Sequence, residues 1–169
     1  MKRIVILGVG NVLFSDEGVG IKALEELKEN FIFPENVELI DGGTLGIGLM
    51  PYLEGVNRLI ILDAVLGGGP PGRVYEFKGE QIRTMFSRKV SMHNVGLQDV
   101  LYILDFLDRI PEEMVLIGVE PKSLSLGCSL SPVVRSSLEM VVEKVLKHLD
   151  AWNIKPVRRS VACSQGSSE

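Results

Sequence analysis

Residues 4–20 read IVILGVGNVLFSDEGVG, and this stretch decides the fold. It opens on the apolar run Ile4 to Leu7, after Lys2-Arg3. An uninterrupted run of this kind predicts a short strand buried on both faces, as in a parallel sheet. Gly8 and Gly10 then permit a tight turn, and Ser15 is placed to cap a helix whose first turn holds Asp16 and Glu17. Two carboxylates thus fall where a strand hands over to a helix. In open α/β sheets that edge is where ligands bind. A glycine turn before a helix usually receives phosphate. Here the acids repel phosphate and favour a metal cation or a basic peptide. The dinucleotide pattern also fails, because Leu13 stands where its third glycine belongs.

The rest of the chain repeats the strand-then-acid theme. Helical spacing of Val19, Ala23, Leu24 and Leu27 predicts a helix from Asp16 to Asn30. A second strand, Val37 to Ile40, is closed by Asp41-Gly42-Gly43-Thr44, and a short helix spans Leu45 to Leu53 around Pro51. Leu59 to Leu62 is a fully apolar strand with Asp63 at its carboxyl end. Gly67 to Gly72 reads as a mobile loop at the rim of the site. Val74 to Phe77 reads as an antiparallel edge strand, and Glu80 to Phe86 as one or two helical turns.

Ser91-Met92-His93-Asn94 leads into a helix with Leu97, Val100, Leu101, Leu104 and Leu107 on one face; Ser91 and Asn94 are both candidate caps. Met114 to Val119 is the last strand. Ser131 caps and Pro132 starts one long final helix, with Val134, Leu138, Val141, Val142, Val145 and Leu149 inward. This order predicts an α/β chain: a three-layer αβα sandwich around a mainly parallel twisted sheet of about five strands, with helices on both faces. One domain covers 1–150, and a flexible tail of Ser, Arg, Gln and Gly begins near Trp152 and fills 151–169.

Composition narrows the function classes. With 169 residues, 46% of them hydrophobic, the chain can build a real core. Its net charge of −4 gives no footprint for nucleic acid. No run approaches the ~20 apolar residues of a membrane span, so membrane insertion is not expected. Lys2-Arg3 and the following run imitate a signal peptide, but Gly8, Gly10 and Asn11 interrupt it and favour a strand. Cys128 and Cys163 stand far apart, which fits a reducing cytoplasm.

Glu17, Asp63 and His93 lie on three separate strand-to-helix connections, which a parallel sheet gathers at one edge. Two carboxylates and an imidazole make a three-ligand set with positions open for substrate or water. Each residue alone also has a plainer reading: Glu17 complements a helix dipole, Asp63 caps a turn, and His93 is a polar residue at a helix start. Asp41 alone reads equally as a turn residue before Gly42-Gly43, and His148 as a cation favoured in a last helical turn.

In combination, GVGN followed by Glu17-Gly18, DGGT at Asp41–Thr44, LDA at Asp63 and SMHNVGL around His93 resemble the nickel–iron hydrogenase maturation endopeptidases. The resemblance runs from about Met1 to Leu149 with motif order and spacing kept. It implies an enzyme that removes a C-terminal extension from a hydrogenase large-subunit precursor after nickel insertion. It implies that Glu17, Asp63 and His93 contact nickel supplied by that substrate. It also implies that Asp41 handles the extension or acts as a base. Whether nickel takes part in the chemistry or only marks a ready client stays open at this point. Two rival readings stand beside it, the first using the same residues. A carrier would bind nickel or the immature subunit without cutting, and a Rossmann-like protein would use Gly8-x-Gly10 and Asp41 for a nucleotide.

Overall fold

A computed structural model describes residues 1–87 and 93–160, with the side chains of residues 93–95 outside the description. The elements run β1 (Ile4–Val9), α1 (Val19–Asn30), β2 (Phe31–Ile32), β3 (Val37–Gly43), α2 (Met50–Leu53), β4 (Arg58–Ala64), β5 (Val74–Lys78), α3 (Glu80–Ser87), α4 (His93–Phe106), β6 (Glu113–Val119), α5 (Pro132–Arg135), α6 (Leu138–Ala151) and β7 (Val157–Arg158). Single 3-10 turns at Ser15–Gly18 and Gly46–Leu49 precede α1 and α2.

The main sheet has the order β3-β1-β4-β6-β5. The first four strands are parallel, and β5 runs antiparallel along the β6 edge. Alternating residues of each central strand serve two cores. Ile4, Ile6, Ile60, Leu62, Val115 and Ile117 face α1 and α6, which contribute Ala23, Leu24, Val145 and Leu149. Val5, Leu7, Leu59, Ile61 and Leu116 face α3 and α4, which contribute Ile82, Phe86, Leu97, Val100 and Leu104. Each such aliphatic side chain stabilises the fold by about 1.5–3 kcal/mol on burial. Because both faces are covered, the acids at strand ends meet solvent only along the carboxyl edge. The expected sandwich is therefore the observed one.

Several local readings change. Ser15 does not cap a helix: it sits at φ +54 and its Oγ donates to the Ser125 carbonyl at 2.7 Å. The α-helix starts only at Val19, with Gly18 before it and no side-chain cap. Ser131 stands at the expected cap position of α5 with Pro132 following, yet it makes no capping bond, because its Oγ donates to Asp16. The long final helix is two helices. Ser137 Oγ donates to the carbonyls of Gly72 and Val133, and Ser136 Oγ donates to that of Pro132, which bends the chain between α5 and α6. Leu107 leaves the buried stripe and is 46% exposed. It falls beyond α4, where left-handed Asp108 turns the chain and the Arg109 N–H closes onto the Leu104 carbonyl.

The segment expected to fray from Trp152 instead makes contacts. Trp152 is buried, its Nε1 donates to Glu113 at 3.0 Å, and the Arg58 guanidinium lies over its ring. Beyond it β7 pairs antiparallel with β2. Residues 161–169, including Cys163, lie outside the described residues.

Candidate active site

Glu17 lies in the 3-10 turn that follows β1, half-buried. Its backbone is set by Gly10, which has φ +132; a β-carbon there would come within 2.0 Å of the Glu17 carbonyl oxygen. Only glycine fits both the dihedral and the gap. One helical turn on, Gly20 crosses β4 so closely that a β-carbon would lie 2.1 Å from the Leu62 carbonyl oxygen. The start of α1 is thereby pressed onto the residue before Asp63. Asp63 is 1% exposed, one residue short of the end of β4, and its Oδ1 accepts the Ala64 N–H at 2.8 Å. That bond orients the carboxylate.

Asp41 is exposed in the last part of β3, opposite Gly8 of β1. Its Oδ1 accepts the Gly43 N–H at 2.9 Å, the turn that Asx residues favour, so the plainer reading of Asp41 holds locally. His93 opens α4; Asn94 lies within the helix, and Ser91 lies outside the described residues. The first turn of α4 meets the 3-10 turn after β3: a β-carbon on Gly96 would be 2.2 Å from the Gly46 α-carbon. Backbone contacts thus join the Glu17 turn to the end of β4, and the Asp41 loop to the His93 helix. All four expected residues stand at the carboxyl edge of the sheet. Among the described side chains no group of three His, Cys, Asp or Glu converges to hold a metal ion, and the His93 side chain is not among those described.

Two buried carboxylates were not anticipated. Asp16, fully buried, accepts the N–H groups of Lys122 and Ser123 at 2.9 Å, the Ser131 N–H at 2.7 Å and the Ser131 hydroxyl at 2.8 Å. Burial pushes its carboxyl up, but the bonds from Ser131, Ser123 and Lys122 outweigh it and hold the group below its ordinary range. Glu120, at the end of β6, accepts the Gly67 N–H at 2.7 Å and the Tyr75 hydroxyl at 3.0 Å. Burial and this carboxylate raise the Tyr75 phenol above its ordinary range. Tyr75 in turn accepts the Gly69 N–H. The glycine loop expected to be mobile is therefore tied at Gly67, Gly69 and, through Glu120 and Ser137, Gly72. Asp16 was visible in the sequence as one of an acidic pair, but its partners lie more than 100 residues away along the chain and no local spacing reveals them.

Comparison with known proteins decides the family. The model of the hydrogenase maturation protease family matches residues 21–148, which include Asp41, Asp63 and His93 and begin after Glu17. The chain belongs to this family. The Hydrogenase 2 maturation protease of Escherichia coli is 37% identical over 158 residues, covering 93% of this chain and 96% of that protein. The hydrogenase expression/formation protein HupD of Bradyrhizobium diazoefficiens is 38% identical, covering 96% of this chain and 86% of HupD. Among solved structures, the hydrogenase maturating endopeptidase HybD of Escherichia coli superposes with a TM-score of 0.90 at 37% identity, over 93% of this chain and 98% of HybD. The [NiFe] hydrogenase maturation protease HybD of Thermococcus kodakarensis superposes at 0.72 with 32% identity, over 86% of this chain and 98% of its own. The protein is a hydrogenase maturation endopeptidase, and the carboxyl edge is the place to look for its chemistry. No described helix is long and apolar enough to cross a membrane.

Proposed function

We propose that this endopeptidase removes the C-terminal extension of a hydrogenase large-subunit precursor, and that Glu17, Asp63 and His93 read the nickel that the client already carries. The observation behind this reading is the crossing of Gly20 over Leu62, which brings the Glu17 turn against the strand end that carries Asp63. His93 enters the same edge on α4. Two carboxylates and a neutral imidazole suit a borderline divalent cation. An imidazole at a helix N-terminus has its charged form disfavoured, which leaves a ring nitrogen for a metal.

In this scheme the metal belongs to the substrate. The three side chains take up its open positions and so orient the extension, whose scissile bond is held in reach of water. A metal beside that bond supplies Lewis acidity. Asp41, exposed beyond the Gly43 turn, contacts the extension or accepts a proton from the attacking water.

The test is a cleavage assay on nickel-loaded and nickel-free precursor with wild type and Glu17→Gln, the released peptide being read by mass spectrometry. Release only from the loaded precursor and only by wild type is expected. Cleavage of both precursors removes the reading of nickel and keeps the protease.

A further inference from the structure

The carboxyl edge also carries exposed aliphatic and aromatic groups. Leu13 and Phe14 follow β1, Leu124 and Leu126 follow β6, and they are 54, 36, 38 and 80% exposed. The two loops that bear them are bound together. The Ser15 N–H donates to the Gly127 carbonyl at 2.8 Å, and the Gly127 N–H donates to the Leu13 carbonyl at 2.9 Å. Ser15 Oγ reaches the Ser125 carbonyl, and Phe14 and Gly127 form a parallel bridge. Beneath them the four hydrogen bonds to Asp16 fix residues 122, 123 and 131 to the same turn. A slack loop would fold such side chains inward. This one is braced with them facing solvent, and a preformed surface loses little freedom when it is covered. Contiguous exposed apolar groups of this kind mark interaction sites.

We propose that Leu13, Phe14, Leu124 and Leu126 form a docking platform for apolar side chains of the client next to its scissile bond, with Asp16 as the positioning residue that keeps the platform formed. This rests on the reading of the site given above. The occupant is the client because the platform runs directly into the site. Phe14 and Glu17 belong to one turn, their backbones joined by the Glu17 N–H to Phe14 carbonyl bond. The other loop leaves β6, whose neighbour β4 ends beside Asp63. A peptide laid along these two loops meets that turn and that strand end. A second apolar strip, Tyr102, Ile103 and Phe106, lies in the half of α4 away from His93, and Phe106 at 90% exposure provides a control.

The experiment compares wild type, Leu13→Ser/Leu126→Ser, Asp16→Asn and Phe106→Ser on nickel-loaded precursor. It measures Kd by titration and, separately, KM and kcat. Leu13→Ser/Leu126→Ser is expected to raise Kd and KM roughly tenfold with kcat within about twofold, since burial of such anchors carries interface affinity. Asp16→Asn places an amide donor against N–H groups. It is expected to raise KM in the same direction while kcat persists, and Phe106→Ser is expected to change neither. Unchanged Kd in the double variant overturns the platform, as does an equal loss in Phe106→Ser. Loss of kcat at constant KM in Asp16→Asn removes Asp16 from the brace. Full cleavage by Glu17→Gln, with the Kd loss intact in the double variant, takes down the metal-reading site and leaves the platform standing.

Discussion

The two ends of the sheet treat carboxylates in opposite ways. At the amino edge, acids are answered by side-chain cations: Arg3 with Glu38, Arg58 with Glu113, Lys2 with Glu112 and Arg109 with Glu54. At the carboxyl edge, the described bonds to acids come chiefly from peptide N–H groups: Lys122, Ser123 and Ser131 to Asp16, Ala64 to Asp63, Gly43 to Asp41 and Gly67 to Glu120. An ammonium or guanidinium cancels a carboxylate's field, whereas an N–H orients it and leaves its unit charge in place. The four described pairs of the amino edge are thus charge-balanced. At the carboxyl edge these N–H groups aim the acids, an arrangement that suits a site that receives a cation.

That contrast is open to direct attack. The largest expected effect is on turnover: Asp63→Asn, which keeps the Ala64 hydrogen bond but not the charge, should slow precursor cleavage by about 100-fold at little cost in Tm. Wild-type turnover would mean the charge at this edge is idle. Asp16→Ala leaves buried N–H donors without an acceptor and should cost about 3 kcal/mol, measured by denaturant unfolding. Gly96→Ala drives a methyl into the Gly46 backbone, so a loss of about 1–3 kcal/mol is expected, with cleavage falling further than stability because α4 carries His93. Unimpaired cleavage in a folded Gly96→Ala protein would separate the Asp41 loop from the His93 helix.

The amino edge should respond weakly. Arg3→Ala breaks a half-exposed pair with Glu38 and two bonds to the Tyr52 and Glu54 carbonyls, and should cost about 1–2 kcal/mol by the same unfolding measurement. The smallest effect concerns acid. The Trp152 N–H and Arg58 hold the Glu113 carboxyl below its ordinary 4.5. A carboxyl depressed in the folded chain contributes stability above its unfolded value and loses it as the pH falls through the folded one. Wild-type Tm should therefore drop more steeply below pH 4.5 than that of Glu113→Gln. Parallel curves would show that the pair contributes nothing.

The sequence made the core and the acids at strand ends legible because both are local. Short apolar runs such as Leu59 to Leu62, bounded by charged and turn residues, read as buried strands, and Asp63 closes one. The position of His93 at a helix start was legible from the apolar spacing after it. Long-range capture of polar groups was not. Ser15 and Ser131 look like caps and Ser137 falls inside an expected helix, yet each hydroxyl is taken by a group far along the chain. Asp16 passed for one more acid in a first helical turn for the same reason. Trp152 was grouped with the polar tail by composition, and only the third dimension brings Glu113 and Arg58 to it.

The floor of the site meets its neighbours backbone to backbone, at Gly10 under Glu17 and at Gly20 over Leu62. A collision between two side chains can be relieved by trimming either one, so such pairs drift together over generations. A collision with a carbonyl oxygen offers no second partner to trim. Descendants of this chain therefore have no compensating route at those two glycines, and diversification toward new clients is left to the rim, where Leu13 and Leu126 can be exchanged without disturbing the floor.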